Sequence, residues 1–161
     1  MSSSRASKLV SLANQAIKTL TSESRFDHIV RSAKVTDFAE DATTMTAEVV
    51  LGPKHLNRAG GIHGGCTTTL IDELTGINCL AHRGNLDTDD PTTSVQLEVK
   101  FLTPAVEGDL LEVQTSIQKA GKRLYFLKAD IFNKTRQDRI VAIGQHIVSI
   151  DPKAPPPKKN W

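Results

Sequence analysis

A run of glycines followed by a single carboxylate carries the chemistry that this sequence suggests. The run lies within residues 60–65 and leads into a segment of helical periodicity at about 66–82, so its glycines enter a predicted helix. There they expose backbone N–H groups at the positive helix end, where a developing oxyanion is stabilised. Asp72 stands on the same helix, eight residues after Gly64. A partly desolvated aspartate that takes a proton from water accelerates a reaction by about 10²–10⁴-fold. The pair suits hydrolysis of an acyl group.

Other interpretations of these residues stay open. The loop lacks the Lys-Ser/Thr ending of a P-loop and the GxGxxG spacing of dinucleotide folds, but a purely structural glycine turn would also explain it. His63 could act as a base, although no Cys or Ser is fixed beside it to make a nucleophilic dyad. Cys66 is interpreted mainly as a small packing residue. Asp72 could also be a surface carboxylate without a task.

The two faces of the predicted helix differ in the size of their side chains. One face is apolar and is expected to fill the concave side of a sheet: Leu70, Leu74, Ile77 and Ala81. The opposite face carries small residues where a solvated helix normally holds Lys, Glu and Gln: Gly65, Thr68, Asp72, Thr75, Gly76 and Cys79. A mid-helix glycine costs about 1 kcal/mol relative to alanine. We therefore expect a second subunit or a substrate to cover this face.

Both ends of the chain have distinctive compositions. Residues 1–22 contain no acid and resemble a mitochondrial transit segment, but their apolar residues recur at helical spacing, which favours an N-terminal helix packed on the body. These are Leu9, Leu12, Ala13, Ala16, Ile17 and Leu20. Residues 151–161 hold four prolines and three lysines, which predicts a flexible tail.

Between the ends, strands surround the one predicted helix. Apolar and polar residues alternate at 45–51, 94–101, 111–117 and 125–131, with a hairpin tip at Ala120-Gly121-Lys122. The last strand, 140–150, is apolar on both faces and is expected to be central or at an interface. Short turns imply antiparallel pairing. The pattern predicts one α+β domain at residues 1–150.

Composition excludes several classes of protein. The chain has 161 residues and a net charge of +2, too small to indicate nucleic acid as the main partner. No run approaches the length of a membrane span, and two cysteines without a secretory signal exclude a disulfide framework. The five histidines show no metal-ligand spacing, so no metal site is expected.

The residues of the glycine loop and of a later strand together resemble a known family. Residues 57–65 read Asn-Arg-Ala-Gly-Gly-Ile-His-Gly-Gly, Asp72 follows His63 by nine residues, and residues 94–105 read Ser-Val-Gln-Leu-Glu-Val-Lys-Phe-Leu-Thr-Pro-Ala. This pattern resembles the hotdog-fold acyl-coenzyme A thioesterases of the phenylacetate-degradation type, in particular their small eukaryotic members (the thioesterase superfamily member type). The resemblance covers roughly residues 9–150.

The resemblance implies a long helix wrapped by an antiparallel sheet, homodimers that assemble into homotetramers, and active sites between two subunits. By position, Asn57 and the Gly64 N–H would polarise the thioester carbonyl. Asp72 from the partner subunit would activate water, Ser94 would help to place the water, and His63 would support the loop.

The resemblance also implies where coenzyme A, as part of an acyl-coenzyme A substrate, is bound. The expected contacts lie at the helix start, on the later strand and the bend after it, and on a basic hairpin whose cations would bind phosphates. Without the resemblance, that turn would be interpreted as an ordinary solvated hairpin. They are Gly65, Gln96, Phe101, Leu102, Thr103, Pro104, Lys119, Gly121, Lys122 and Arg123. No separate cofactor is implied. The loop 85–91 and the turn near Gln137 are longer than is typical of the family, which bears on acyl-chain specificity.

Two alternatives to thioester hydrolysis are a non-catalytic acyl-coenzyme A-binding protein and a hotdog hydratase or dehydratase. The latter enzymes pair an acid with a histidine, whereas Ile77 stands five residues after Asp72. The cytoplasm is the expected compartment, with the mitochondrion as the alternative.

Overall fold

The computed structural model describes residues 4–21, 26–86 and 92–150. Within them the chain forms two α-helices, six β-strands and short 3₁₀ segments at Phe26–Ser32, Pro53–His55 and Lys134–Arg136. The helices and strands are α1 (Arg5–Leu20), β1 (Lys34–Phe38), β2 (Thr44–Val50), α2 (Gly64–Arg83), β3 (Thr92–Phe101), β4 (Leu110–Ala120), β5 (Leu124–Asn133) and β6 (Arg139–Ile150).

All six strands belong to one antiparallel sheet with the order β1-β2-β4-β5-β6-β3. The sheet wraps around α2, which packs against β2, β3, β4, β5 and β6. This arrangement confirms the predicted α+β hotdog architecture. β6 lies between β5 and β3, so its two apolar faces belong to an interior strand, as expected. β1 has no counterpart in the sequence-based prediction.

The N-terminal helix α1 packs on the body of the protein, as the sequence predicts. The Ser4 hydroxyl caps it by accepting a hydrogen bond from the Ser7 N–H at 3.2 Å. The Asn14 side chain binds both the N–H and the carbonyl of Val35, at 2.9 and 2.8 Å. These bonds cover the outer edge of β1, which would otherwise be open to pairing. The buried stripe of α1 comprises Leu9, Ala13, Ala16 and Ile17.

The central helix α2 extends the predicted segment by about one residue or two at each end. It ends at Gly84, whose φ of 73° is the left-handed conformation that glycine adopts most readily. The four residues predicted to face the sheet are buried, but the prediction for the opposite face is wrong at Thr75 and Cys79, which are fully buried. The sheet curls around the helix, so it covers more than half of the helix circumference.

The close approach of α2 to the sheet depends on a glycine. A Cβ atom at Gly144 of β6 would lie 2.7 Å from Cγ2 of Ile71, a buried residue of α2. No larger residue fits beneath the helix at this point without displacing it.

A bulge in β3 interrupts its alternation. The pairing register with β6 shifts between Ser94 and Gln96, so Val95 is an extra residue and is 58% exposed. Ser94 pairs with the inward-facing Val148, whereas Gln96 pairs with Ile147 on the outer face. The strict alternation expected along residues 94–101 is therefore wrong on the N-terminal side of the bulge.

Part of the expected long loop, residues 87–91, and the whole predicted tail, 151–161, lie outside the described residues. The predictions for these two segments stay predictions, as does the domain boundary at residue 150. The turn near Gln137, which is also expected to be longer than is typical of the family, lies within the described residues. Gln137 and Asp138 both have positive φ values there, of 58° and 55°.

Candidate active site

The carboxylate of Asp72 is held by a serine from the outermost strand. Asp72 lies midway along α2 with 39% of its side chain exposed, and the Ser94 hydroxyl donates a hydrogen bond of 2.8 Å to its Oδ1 atom. The bulge at Val95 turns Ser94 toward the helix. One carboxylate oxygen is thus oriented by the serine, whereas the other, Oδ2, has no hydrogen bond among the described residues.

A buried histidine on β6 lies close to the same carboxylate. His146 of β6 is 2% exposed, and its Nε2 atom lies 3.4 Å from Oδ1 of Asp72 without an aligned hydrogen bond. Its Nδ1 atom lies 2.6 Å from the Thr75 hydroxyl. Burial lowers the pKa of His146, and the Asp72 carboxylate opposes this shift only in part. The Thr75 hydroxyl also donates to the Ile71 carbonyl at 2.7 Å, so its oxygen is available to accept from an N–H on Nδ1 of the neutral ring.

Sequence reasoning missed His146. Its signal in the sequence was a single polar side chain on the inward face of β6, where the other residues are apolar or glycine. That pattern does not reveal which helix residue the histidine meets. The chain brings Thr75 and His146 together across 71 residues.

The glycine loop is organised by the Asn57 side chain. Its Oδ1 atom accepts hydrogen bonds from the N–H groups of Ala59 and Gly61, at 2.9 and 3.3 Å, and its Nδ2 donates to the Ile62 carbonyl at 3.3 Å. Gly60 has a φ of 81°. Asn57 therefore fixes the turn that leads into α2, and one hydrogen of its amide group is still available to another acceptor.

His63 caps the helix rather than facing the groove as a base. Its Nδ1 atom accepts a 2.9 Å hydrogen bond from the Gly65 N–H, and its carbonyl accepts from the Thr67 N–H. The Gly64 N–H, the first of the helix, has no hydrogen-bond partner among the described residues, as is usual for a first-turn amide. Cys66 lies just behind it, and burial raises the pKa of its thiol to about 11, so it stays protonated at neutral pH.

A cavity of about 330 Å³ opens beside Gly64. The ring of Phe101 forms one wall, close enough that a Cβ atom at Gly64 would lie 3.5 Å from it. This size is typical of a small-molecule site. The cavity combines an apolar surface with a helix N-terminus, and its lining comprises Ile62, Gly64, Thr67, Phe101, Leu102, Thr103, Pro104 and Val141.

The expected site residues fall into two groups, one at the start and one near the middle of α2, and the two groups lie at opposite ends of the β3–β6 ladder. The first half-site is the cavity with Gly64 and Asn57, beside the pairing of Phe101 with Ala142. Eight residues of helix separate Gly64 from Asp72, which is about 12 Å along the axis. One chain therefore cannot bring both to the same carbonyl carbon.

The second half-site consists of Asp72 with Ser94 and His146. The basic hairpin adjoins the same end of the sheet, because the Arg123 carbonyl accepts from the N–H of Ile150, the residue that pairs with Thr92. Gly121 closes the hairpin through a 2.9 Å bond to Leu124, and Lys119, Lys122 and Arg123 are exposed. Gln96 is exposed on the outer face of β3, and its contact with the substrate stays a prediction.

Glu73 is a further titratable group beside the second half-site. Burial, followed by repulsion from Asp72 and from Asp27, raises the pKa of Glu73 to about 7. Among the described residues, no cluster of three or more His, Cys, Asp or Glu side chains is arranged to hold a metal ion.

A sheet that wraps a long helix, with an unpartnered amide at the start of that helix and a hydrogen-bonded carboxylate at its middle, is the architecture of hotdog-fold thioesterases. The family model of the thioesterase superfamily matches residues 59–140, and the chain belongs to this superfamily. The resemblance stated from the sequence is thus confirmed, and the protein is a thioesterase.

Individual relatives agree with this assignment. Acyl-coenzyme A thioesterase 13 of Mus musculus is 29% identical over 133 residues, which is 82% of this chain and 89% of the relative. The crystal structure of zebra fish thioesterase superfamily member 2 superposes with a TM-score of 0.79 at 22% identity, covering 88% of this chain and 98% of that one. A hypothetical thioesterase of Streptococcus pneumoniae, solved with coenzyme A, gives a TM-score of 0.67 at 17% identity, covering 78% of this chain and 92% of that one.

Proposed function

We propose that the protein hydrolyses acyl-coenzyme A, with a fatty or aryl acyl group, to the free acid and coenzyme A. The name of the mouse relative supports this substrate class, and so does the coenzyme A in the Streptococcus pneumoniae structure. The cavity beside Gly64 has apolar walls for an organic group. Coenzyme A carries phosphates, and the exposed cations of the basic hairpin match them.

In the proposed mechanism the Gly64 N–H and the Asn57 amide donate hydrogen bonds to the thioester oxygen. Asp72 of the partner subunit takes a proton from water while the Ser94 hydroxyl of the same subunit holds its other oxygen. The resulting hydroxide attacks the carbonyl carbon, and the negative charge on oxygen is stabilised by Gly64; removing one such donor typically costs about 3 kcal/mol. The C–S bond then breaks, and coenzyme A leaves as its thiolate, which takes up the proton.

One observation carries this proposal: in one chain the two half-sites are eight helix residues apart, which is about 12 Å along the axis. β3 is an outer strand of the sheet, and most of its residues are exposed. A twofold axis beside β3 would place the first half-site of one protomer against the second half-site of its partner. Because the contact in such an isologous dimer is symmetric, each dimer would contain two equivalent active sites. A homodimer is therefore part of the proposed function, and a homotetramer built from two dimers extends it.

The compartment is also a proposal. Neither α1 nor α2, the helices of the described part of the chain, combines the length and apolar character needed to cross a membrane. We place the protein in the cytoplasm, with the mitochondrion as the alternative.

The activity is tested by thiol release from a panel of acyl-coenzyme A esters of different chain lengths. Asp72→Asn is expected to lower kcat by about 10²–10⁴-fold, the range for loss of a general base. Asp37→Asn, at an exposed carboxylate of β1, is the matched control and is expected to retain full activity. Unchanged turnover in Asp72→Asn would contradict the mechanism. Binding without turnover by the wild type would favour the non-catalytic alternative.

A mixing experiment tests the shared site. Asp72→Asn chains and Asn57→Ala chains, each inactive alone, are co-expressed with different tags and purified together. A random mixture of dimers is expected to regain about a quarter of wild-type activity, since half of the dimers then contain one intact site out of two. If the mixture stays as inactive as its components, the site does not span two protomers.

A further inference from the structure

A buried carboxylate outside the two half-sites is linked to the glycine loop. Asp109, between β3 and β4, is 2% exposed. Its Oδ2 atom accepts from the Val106 N–H at 2.9 Å and from the Asn133 side chain at 2.7 Å, and Nε of Arg136 lies 3.1 and 3.0 Å from its two oxygens. Burial by itself would raise the pKa of Asp109, but these hydrogen bonds together lower it, so the group is ionised at neutral pH.

The bend that Asp109 holds is bonded directly to the glycine loop. The Ala105 carbonyl accepts a 2.7 Å hydrogen bond from the Ile62 N–H, and Val106 forms an antiparallel bridge with Gly61. Pro104, one residue earlier, lines the cavity. The hydrogen bond from the Val106 N–H to Oδ2 therefore connects the buried carboxylate to the segment that presents Gly64, beside the backbone bond from the Asp109 N–H to the Val106 carbonyl at 3.1 Å.

The residue type at position 109 matters for this connection. All three donors, from Val106, Asn133 and Arg136, lie within hydrogen-bond distance of Oδ2, and the Arg136 Nε atom also reaches Oδ1. An asparagine has a single uncharged amide oxygen, whose two lone pairs face three donors, and its NH₂ group takes the place of the other oxygen beside Arg136, so the bond to the Val106 N–H is weakened. Because the Val106 N–H has no other hydrogen bond among the described residues, the bend would then depend on its backbone bonds, such as that from the Asp109 N–H to the Val106 carbonyl at 3.1 Å.

We propose that Asp109 is a positioning residue for thioester hydrolysis: through Val106 and Ala105 it sets the position of the glycine loop and hence of the Gly64 N–H. This inference rests on the proposed function. A hydrogen-bond donor must lie within about 0.5 Å of its productive position to act on a transition state, and the bond from Ile62 to Ala105 is one of those that fix the loop, beside the bonds of the Asn57 side chain and the 2.8 Å bond from the His63 N–H to the His55 carbonyl. Asp109 itself touches neither substrate nor reacting atoms.

The test compares Asp109→Asn with Asp41→Asn. Asp41 accepts from the Thr43 N–H at 3.0 Å in the turn before β2, so the control makes the same change from carboxylate to amide at another side chain that binds a backbone N–H. We expect Asp109→Asn to lower kcat by about 10–100-fold, as small displacements of catalytic groups do, with KM changed less than threefold. Amide hydrogen exchange at Ile62 is expected to accelerate at least tenfold, whereas Asp41→Asn leaves both readouts unchanged.

A second variant distinguishes an effect on the loop from a failure of the protein to fold. Arg136→Lys, at a side chain that is 52% exposed, removes only the Nε donor and should shift both readouts in the same direction by a smaller factor. Unchanged kcat or unchanged Ile62 exchange in folded Asp109→Asn would overturn the proposal. If the wild type hydrolyses no acyl-coenzyme A, the proposed function fails, and Ile62 exchange alone then decides whether Asp109 positions the loop.

Discussion

The Ser94 hydroxyl lies 2.8 Å from Oδ1 of Asp72, although 22 residues separate the two in the chain. The bond exists because a bulge at Val95 turns Ser94 inward from an otherwise outward position. It joins the outer strand β3 to the middle of α2. The hydrogen bond thus fixes the position of the candidate general base relative to the edge of the sheet.

Ser94→Ala is expected to lower kcat by about 10–100-fold, because hydrogen bonds to charged groups contribute about 1.5–3 kcal/mol and the carboxylate loses its fixed orientation. Thr93→Ala, at the exposed neighbouring position of β3, is the control and should match the wild type. Steady-state thiol release measures both. A kcat within twofold of wild type for Ser94→Ala would contradict a role of this bond in catalysis.

The stability of the fold should fall as the pH is lowered, in part through His146. Its folded pKa lies below the ordinary value of 6.5 because of burial, so the unfolded state binds more protons in the interval between the two values. The free energy of unfolding therefore decreases as the pH falls through 6.5 toward the folded pKa. His146→Gln removes this titration, and its unfolding free energy relative to wild type should improve between pH 7 and pH 5.

Urea unfolding at constant protein concentration provides the measurement for His146→Gln. His55 is a second buried histidine with a lowered pKa, caused mainly by burial, so part of the acid sensitivity is expected to persist in the variant. A difference between variant and wild type that is constant with pH would show that His146 does not titrate in this range.

Glu73 is expected to have the opposite pH dependence. Its folded pKa of about 7 lies above the ordinary 4.5, chiefly because of burial. Its contribution to stability is complete below pH 4.5 and is lost as the pH rises through 7. Glu73→Gln, which keeps the shape of the neutral acid, should therefore stabilise the protein at pH 8 relative to wild type and have little effect at pH 4.5. Thermal unfolding across this range would reveal a pH-independent effect if Glu73 titrates normally.

Gly144→Ala should destabilise the fold by about 1–3 kcal/mol, the usual cost of overpacking a core, because its Cβ would lie 2.7 Å from the buried Ile71 side chain. Gly76→Ala is a useful comparison, since its Cβ would meet only Thr92 at 3.9 Å. Denaturant titration of the single variants and of Gly144→Ala with Ile71→Val checks the cause: the second substitution should recover part of the loss. Equal stability of Gly144→Ala and wild type would mean that the helix moves away without cost.

Much of the fold could be predicted from local patterns. The helical stripe at Leu70 and Leu74 and the alternation along β4 and β5 identified α2 and the sheet, because side-chain periodicity follows directly from backbone geometry. β1 could not be predicted in this way, since its five residues are mostly polar and contain a register shift. Thr75 and Cys79 were assigned to the wrong face because the curvature of the sheet is not encoded in the helix that it covers.

The sequence by itself determined which residues belong to the glycine loop, which carboxylate stands on the central helix, and the alternation that builds most of the sheet. These are properties of neighbouring residues, and local geometry is enough to interpret them. Only the tertiary structure decided that Ser94 and His146 meet Asp72, that Asp109 accepts a hydrogen bond from Val106 in the bend beside the glycine loop, and that burial raises the pKa of Glu73 to about 7. Each of these depends on distances and burial between distant segments, which exist only after the chain has packed.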